Sequence, residues 1–359
     1  MSKPTEFALR RERLLPTLED VRANAFLVTA LPNVRYLSGY TGSNGMLAVT
    51  RDRAVLFTDP RYALQAAEES DCDVKVVTGR LAHEAAKWMT RARLRTVAVE
   101  ANRIDFATYR TIQESRNLRM KLSEGAIEKV RMVKSAAEIA AIKTSVDVNS
   151  AALDQALRRF RSTMTEVDLA AEIEYRMRRL GADGTAFETI VASGPRSAFP
   201  HARPTGDRIR FHQLVLVDMG ASIAGYSSDM TRTYAVGRPN AKMRRTYRAV
   251  LESQLRAIDT IRPGVTADSV DRAARDTLRQ FGLEKAFIHS VGHGLGLEIH
   301  EPPRLGRKEK TKLESGMVIT VEPGAYLEGW GGIRIEDTVL VTARGCEVLT
   351  PTSKELAVI

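Results

Sequence analysis

Short apolar runs alternate with helical stretches in the first third of the chain. Five runs rich in Val, Leu and Phe, each bounded by turn residues, are typical of strands: 25–31, 45–50, 54–58, 74–77 and 96–100. Three stretches are predicted to be helices: 61–70, 82–92 and 105–116. The loop-rich segment 31–45 is expected at the rim of the sheet. Strands that alternate with helices predict an α/β domain with a mainly parallel or mixed sheet.

A long helical pattern at 127–157 predicts the start of a second domain. Its apolar residues Ile139, Ile142 and Val146 recur close to one helical stripe. We therefore expect an N-terminal α/β domain at 1–126 and a second domain at 127–359.

The second domain contains a weak internal repeat. Residues 165–181 align with residues 266–282, and each segment starts with Thr and ends with Gly. Both segments predict an amphipathic helix with an N-cap and a C-terminal glycine. Two ordinary capped helices could also resemble each other by chance. A true repeat would give two α+β halves related by a pseudo-twofold axis, with a site between them that draws residues from both.

Composition indicates a globular protein without membrane spans. The chain has 359 residues, of which 43% are hydrophobic and 27% are charged, and no apolar run approaches the length of a membrane helix. The first sixteen residues are charged and lack the apolar core of a signal peptide. The only cysteines are Cys72 and Cys346, which favours reduced thiols and a cytoplasmic location.

The net charge of +10 raises the question of nucleic-acid binding. Basic clusters occur at 158–161, 176–179, 242–248 and 307–312. Aromatic residues make up only 6% of the chain, and acidic residues are mixed into several of these stretches. We therefore interpret the clusters as solvated helix faces and loops, without a nucleic-acid partner.

Five potential metal ligands occur in the last part of the chain: Asp218, Asp229, His293, Glu322 and Glu336. The two aspartates lie on predicted strands joined by a turn that contains glycine and serine, so a hairpin would bring them together. The alternative for an aspartate that stands alone at the end of a strand is a simple turn or cap residue. Four carboxylates and one imidazole suit a pair of Mn, Co, Zn or Fe(II) ions better than one structural zinc. Such a pair can polarise a carbonyl, which indicates metal-assisted hydrolysis.

Other polar residues support this interpretation. His289, His293 and His300 are three of the six histidines and fall within twelve residues, a clustering that favours function over isolated core histidines. His201 lies in a loop rich in Pro, Gly and Ser. Arg334 lies two residues before Glu336 on a predicted strand and should share its face, although a simple ion-pair arginine is the alternative.

Four segments together resemble the pita-bread metallopeptidases, a superfamily that contains methionine aminopeptidase, aminopeptidase P, prolidase and creatinase: IVASGPRSAFPHARP, VDMGASIAGYSSDMTRTY, GHGLGLEIHEPP and VEPGAYLEGWGGIRIED. NVRYLSGYTGSNG and LFTDPRYALQAAEE resemble the N-terminal domain of the proline-specific branch. The resemblance implies an α+β fold: a C-terminal pita-bread catalytic domain with a pseudo-twofold repeat, and a smaller N-terminal creatinase/prolidase-type α/β domain.

The resemblance also implies that the five ligands hold two divalent ions, commonly Mn or Co. Asp229 and Glu336 would bridge both ions, Asp218 would hold one, and His293 and Glu322 the other. All five positions match the family pattern, which argues against creatinase and against non-catalytic members that have lost ligands.

Catalytic roles follow from the same resemblance. Glu322 would double as general base and proton carrier. His201 and His300 would hydrogen-bond the substrate and steady the tetrahedral intermediate, His289 would line the pocket, and Arg334 would orient a carboxylate.

The implied substrates are short peptides with proline in the second position. We expect a Xaa-Pro aminopeptidase, with a Xaa-Pro dipeptidase (prolidase) as the close alternative. A dipeptidase must clamp the free carboxylate beyond proline, for which Arg61 of a partner's N-terminal domain is a candidate, since this branch commonly forms dimers or tetramers. A non-catalytic binding module and a hydrolase of non-peptide substrates remain further alternatives.

Overall fold

The structure is a computed structural model that describes residues 4–115 and 117–359. The start of the N-terminal segment and the end of the helix predicted at 105–116 therefore lie outside the described residues. The chain divides into two compact units after Arg131, whereas the sequence places the boundary at 126. None of the helices within the described residues is long and apolar enough to cross a membrane.

The first unit is built on one mixed sheet. Its strands are β1 (Ala25–Val28), β2 (Gly45–Thr50), β3 (Ala54–Thr58), β4 (Asp73–Val76), β5 (Thr96–Glu100) and β6 (Arg119–Ser123). Their order in the sheet is β4-β3-β2-β1-β5-β6, with parallel pairs at both ends and antiparallel pairs in the middle. The helices are α1 (Glu6–Asp20), α2 (Leu31–Ser38), α3 (Ala63–Glu69), α4 (Leu81–Arg91), α5 (Phe106–Gln113) and α6 (Ala126–Met132). The mixed sheet and the five predicted strands are confirmed, while α1 and β6 were not predicted.

The prediction of a loop at 31–45 is wrong for the first half of the segment, because these residues form α2. Val34, Tyr36 and Leu37 are buried along this helix, so packing outweighs the short length of the segment. The helix ends where Gly39 adopts a φ of +80° and donates its N–H to the carbonyl of Arg35, which is the usual glycine termination.

The second unit contains four further helices and thirteen strands among its described residues. The helices are α7 (Ala136–Leu157), α8 (Glu166–Arg179), α9 (Ala241–Thr260) and α10 (Ala267–Gln280). The strands are β7 (Gly184–Thr185), β8 (Ile190–Ser193), β9 (Leu214–Met219), β10 (Ala221–Ile223), β11 (Tyr226–Ser227), β12 (Met230–Ala235), β13 (Gly292–Gly294), β14 (Glu301–Leu305), β15 (Val318–Val321), β16 (Gly324–Leu327), β17 (Gly331–Arg334), β18 (Asp337–Val341) and β19 (Cys346–Val348).

Two similar halves make up this unit. In the first half, α7 and α8 precede a sheet of order β12-β9-β8; in the second, α9 and α10 precede a sheet of order β14-β13-β15-β18-β19. Most apolar side chains of each sheet pack in a core with the helices of the same half. The halves also share apolar contacts, since Ile142 and Val146 of α7 pack in one cluster with Val318 of β15. The two predicted helices correspond to α8 and α10, and each is followed by a glycine of positive φ, as predicted. The predicted N-cap is confirmed for α8, where Thr165 accepts a hydrogen bond from the N–H of Asp168, but Thr266 makes no such bond at the start of α10.

The single helix predicted at 127–157 is interrupted. Ser135 accepts a hydrogen bond from the N–H of Glu138, and Glu138 accepts one from the N–H of Ser135, which forms a capping box that starts α7 afresh. Val133 pairs with Met317 as an isolated bridge. The continuous apolar pattern conceals this break because a helix cap depends on only a few residues.

Candidate metal centre

The first two candidate ligands lie on a β-hairpin, as the sequence predicts. Strands β9 and β12 are antiparallel, and Asp218 lies opposite Thr231. Asp229 directly precedes β12 and is 5% exposed. The short strands β10 and β11 form the turn between them, so residues eleven apart in sequence reach one pocket.

The other three candidates come from the second half of the unit. His293 lies at the centre of β13, where the backbone hydrogen-bonds to two neighbouring strands. Glu322 follows β15 directly. Glu336 was predicted inside a strand, but it lies at the junction between β17 and β18. At this junction its N–H donates to the carbonyl of Thr231 of the other half, which ties the two halves together at the site.

Three of the five candidates converge most closely. Ligand atoms of Asp229, His293 and Glu336 all lie within 4.8 Å of one another. Nε2 of His293 is also 3.4 Å from Oε1 of Glu322. Asp218 stands apart from this trio because its Oδ2 accepts a hydrogen bond of 2.5 Å from the guanidinium of Arg334.

Burial and mutual repulsion make three of these carboxyl groups, those of Asp229, Glu322 and Glu336, reluctant to ionise. Burial, followed by the charge of Glu336, raises the pKa of Asp229 well above its usual range. Burial, followed by the charges of Glu322 and Asp218, does the same to the pKa of Glu336. Burial raises the pKa of Glu322 to about 7. A cation placed among them would reverse this destabilisation.

Hydrogen bonding leaves one ring nitrogen of His293 free to ligate. Its Nδ1 lies 3.0 Å from the carbonyl of Gly294. Since a carbonyl can only accept, Nδ1 carries the proton, and the lone pair of Nε2 faces the carboxylates. Burial, followed by the nearby His300, lowers the pKa of His293 to about 4, so the imidazole is neutral near pH 7, which is the form that binds metals.

The donor set fits a divalent metal. Among the described side chains, Oδ1 of Asp218 and Oε1 of Glu336 are buried without any hydrogen-bond partner. Buried carboxylate oxygens normally have partners. Two such orphaned oxygens beside a neutral imidazole are the chemistry that a bound cation satisfies.

A hydrogen-bond chain that the sequence did not indicate runs along one wall of the pocket. Nη1 of Arg334 donates to the hydroxyl of Tyr326 over 2.7 Å, and that hydroxyl lies 2.9 Å from Nε2 of His289. Nδ1 of His289 lies 2.8 Å from the carbonyl of Ser290, so Nδ1 carries the proton and Nε2 accepts from Tyr326. Its one sequence signal is the position of Tyr326 four residues after the candidate ligand Glu322.

Thr231 is a second residue beside the carboxylates that sequence reasoning missed. Its hydroxyl accepts from Nε of Arg334 over 2.9 Å and donates to Glu336 over 2.7 Å. Thr231 therefore orients one carboxylate of the cluster and the arginine that pairs with another.

All nine predicted site residues line one pocket of about 850 Å³ in the second unit: His201, Asp218, Asp229, His289, His293, His300, Glu322, Arg334 and Glu336. The rings of His293 and His300 meet edge to face at 4.3 Å. Burial, followed by the charge of His201, lowers the pKa of His300. Neutral histidines beside a carboxylate cluster can hydrogen-bond a substrate and transfer protons near neutral pH.

Comparison with known families identifies this arrangement. The profile of metallopeptidase family M24 matches residues 140–343. The chain belongs to metallopeptidase family M24. The profile of the creatinase/prolidase N-terminal domain matches residues 10–133, so this M24 peptidase has the two-domain organisation that the resemblance implies. Membership of a metallopeptidase family implies that the protein binds divalent metal ions.

Relatives match this M24 peptidase over nearly its full length. The Xaa-Pro dipeptidase of Pyrococcus furiosus is 37% identical over 97% of this chain and 99% of its own. The structure of a Xaa-Pro dipeptidase from Bacillus anthracis superposes with a TM-score of 0.96 at 36% identity, covering 98% of this chain and 100% of that one. An X-Pro aminopeptidase from Thermotoga maritima gives a TM-score of 0.91 at 35% identity, with the same coverage.

Proposed function

We propose that the protein is a Xaa-Pro dipeptidase, which hydrolyses the bond before proline in dipeptides. The near-full-length similarity to proteins named Xaa-Pro dipeptidase supports this activity. The sequence alone favours the aminopeptidase, but these names favour the alternative. A Xaa-Pro aminopeptidase remains the second candidate, because the T. maritima similarity and a pocket near the upper end of the usual ligand range both suit longer peptides.

The observation that carries the dipeptide preference is the position of Arg304. Arg304 lies directly opposite His293 across the antiparallel pair β13–β14, so both side chains leave the sheet on the same face. Its side chain is exposed and lines the pocket, and no described carboxylate forms an ion pair with it. A guanidinium there can bind the free carboxylate of a dipeptide.

Arg61 was the sequence-based candidate for this carboxylate clamp. It lies in the first unit, where its guanidinium makes an ion pair of 2.8 Å with Asp59. Arg304 is the better candidate because it lies in the same pocket as the carboxylate cluster and forms no ion pair there, although its charge also reaches Glu309 in that pocket.

The proposed site holds two divalent ions, most readily Mn, through Asp218, Asp229, His293, Glu322 and Glu336. Bound ions would polarise the scissile carbonyl and lower the pKa of a water molecule. Glu322 would accept the proton of that water and deliver it to the proline nitrogen, because a carboxylate beside the ions can move a proton over a short distance. His201 and His300 would hydrogen-bond the reacting carbonyl, and His289 and Arg334 would line and order the pocket.

The arrangement of the whole protein is part of the proposal. Residues 1–126 would serve oligomerisation and shape the substrate site, and residues 127–359 would carry out catalysis, in a cytoplasmic homodimer or homotetramer. The free cysteines Cys72 and Cys346 are consistent with a reducing compartment. Native mass spectrometry would give the subunit number, and elemental analysis of the purified protein would give the metal and its stoichiometry.

The deciding experiment compares a dipeptide Xaa-Pro, its C-terminal amide and a tripeptide Xaa-Pro-Yaa with Mn(II)-loaded protein. We expect fast cleavage of the free acid and an increase of about 10- to 100-fold in KM for that substrate in Arg304→Met, since a charge-assisted hydrogen bond is worth about 1.5–3 kcal/mol. Arg307→Met is the matched control, because Arg307 pairs with Glu284 and does not line the pocket. Equal cleavage of all three substrates would favour the aminopeptidase, and no metal-dependent cleavage would refute both activities.

A further inference from the structure

The placement of His201 depends entirely on the backbone that carries it. His201 follows β8 in an irregular segment, which begins with a 3₁₀ turn at Gly194–Ala198. A tight turn then brings the N–H of Ala202 to 3.1 Å from the carbonyl of Phe199. The imidazole is exposed to the pocket, and none of the described residues makes a hydrogen bond to it. The position of the imidazole is therefore only as well fixed as the backbone of residues 193–205.

One buried carboxylate holds both ends of this segment. Glu166 is the first residue of α8, and its side chain is 0% exposed. Its Oε1 accepts from the N–H and the hydroxyl of Ser193 over 2.7 and 2.9 Å. Its Oε2 accepts from the N–H and the hydroxyl of Thr205 over 3.0 and 2.9 Å, and from Nε of Arg196 over 3.1 Å.

The helix that carries Glu166 is itself firmly held. Leu169, Ile173 and Met177 of α8 are 0% exposed in the core of the first half. The N-terminal end of a helix also favours a negative charge. The carboxylate is thus a fixed point, and five directed hydrogen bonds transmit that position to the segment on either side of His201.

We propose that Glu166 is a positioning residue that fixes His201 in the pocket by holding residues 193–205 at both ends. The kinetic consequence rests on the proposed peptidase function, whereas the ordering of the segment does not. A carboxylate suits all five donors, but a carboxamide has one acceptor oxygen and an NH₂ group. In Glu166→Gln, the NH₂ group would therefore face the N–H donors at one end of the segment, and that end would lose its hydrogen bonds.

The first test is a double-mutant cycle with Glu166→Gln and His201→Ala in steady-state hydrolysis of a Xaa-Pro dipeptide. We expect Glu166→Gln to lower kcat about 10- to 100-fold, the effect of a displacement of about 1 Å, with unchanged metal content. In the His201→Ala background, Glu166→Gln should lower kcat less than about threefold. The reason is that the effects of two substitutions are not additive when one residue acts through the other. An equal loss in both backgrounds would overturn the proposal.

Asp168→Asn is the matched control for a merely structural effect. Asp168 lies in the same helical turn and accepts hydrogen bonds from Thr165 only at the cap of α8. It undergoes the same acid-to-amide change without touching residues 193–205. We expect wild-type kinetics, and a loss equal to that of Glu166→Gln would show that any weakening of α8 suffices.

Hydrogen–deuterium exchange separates this proposal from the proposed function. Backbone amides of residues 193–205 should exchange faster in Glu166→Gln than in the wild type, and Asp168→Asn should leave them unchanged. This holds even if the protein cleaves no Xaa-Pro peptide, which would refute the peptidase function alone. Unchanged exchange in Glu166→Gln would overturn the positioning role. Should that variant not fold, Thr205→Val removes one donor to Oε2 and should accelerate exchange in the same segment, and its failure to do so would equally overturn the proposal.

Discussion

Lys134→Met is expected to destabilise the second unit severely. Nζ of Lys134 lies 3.2 Å from Oε2 of Glu301, and the two side chains are 1% and 2% exposed. Glu301 also accepts a hydrogen bond from the N–H of Glu298, so the pair fixes the segment that carries His300. Methionine keeps the length of the lysine stem but removes the charge.

The magnitude follows from the burial of this pair. At 3.2 Å and an effective dielectric constant of about 20, the attraction is about 5 kcal/mol. Removing one partner of a buried pair costs about 3–5 kcal/mol, because the remaining charge stays buried. The remaining carboxylate can instead take up a proton, which costs an ordinary glutamate about 4 kcal/mol at pH 7. Protonation therefore limits the penalty for the unpaired charge and makes the loss depend on pH.

Urea unfolding at two pH values tests this argument. The chain has two tryptophans, one in each unit, so a Trp88→Phe background leaves Trp330 to report on the second unit. Since a protonated carboxyl is favoured below neutral pH, the loss should fall from about 3–4 kcal/mol at pH 7 to about 2 kcal/mol or less at pH 5.5. Lys143→Met is the control: its pair with Glu347 is closer, at 2.7 Å, but the side chains are 42% and 49% exposed, so it should cost at most about 1 kcal/mol. Equal losses in the two variants, or a loss independent of pH, would refute the reasoning.

Three further predictions concern the pocket. Burial lowers the pKa of His289 from 6.5 to about 4, so the unfolded chain binds the proton more readily than the folded one. Up to about 3 kcal/mol of the free energy of unfolding present above pH 6.5 should therefore be lost as the pH falls toward 4. In urea titrations, His289→Gln should flatten this pH dependence. Gly292→Ala would place a Cβ 2.0 Å from a carbonyl oxygen of β15 and would displace the strand that carries His293, so the peptidase activity should fall at least about 100-fold. Gly345→Ala is the control: the position has open space around it, so this variant should retain the wild-type rate. In chelator-treated protein at pH 7, Glu336→Gln should raise the melting temperature, because burial and neighbouring charges disfavour ionisation of this carboxyl and the neutral amide avoids that cost. The substitution should also abolish metal-dependent hydrolysis. A lower melting temperature would contradict this reasoning.

Local sequence patterns predicted the elements that position the candidate ligands. The two aspartates lie on apolar strands separated by a short polar turn, and a hairpin is the simplest way to pair such strands. The glycines beside His293 allow the close approach of β15 and β14 that their contacts show. These features are local, so the residues themselves carry the information.

Other features depend on packing that no short segment encodes. Helix α2 forms because its apolar residues are buried in the first unit, although its segment is typical of a loop. Glu336 lies at a strand junction because its N–H bonds to Thr231 in the other half. A periodic pattern predicts which residues are apolar, but it does not predict where a strand must bend to meet a distant partner.

The limit of prediction from local sequence is clearest for His201, His289 and His300, the three pocket histidines outside the proposed ligand set. All three lie on irregular segments, where few regular backbone hydrogen bonds fix the chain. A buried charged residue anchors each segment: Glu166 for His201, Arg275 for His289 and Lys134 for His300.

Two of these anchors, Glu166 and Lys134, lie far in sequence from the histidine cluster that reveals the site. Lys134 and Glu301 are 167 residues apart, and Glu166 and Ser193 are 27 apart. A charged group suits this role because several donors or acceptors can converge on it, and its burial without them would be costly. A segment held in this way must keep its backbone in place to satisfy the charge, so the anchor positions the histidine through the backbone. His201 depends on this entirely, whereas the ring of His289 is also held by hydrogen bonds to Ser290 and Tyr326. Substitution of an anchor should therefore change catalytic rates while leaving the metal content intact, which is the opposite of the effect expected at the carboxylates.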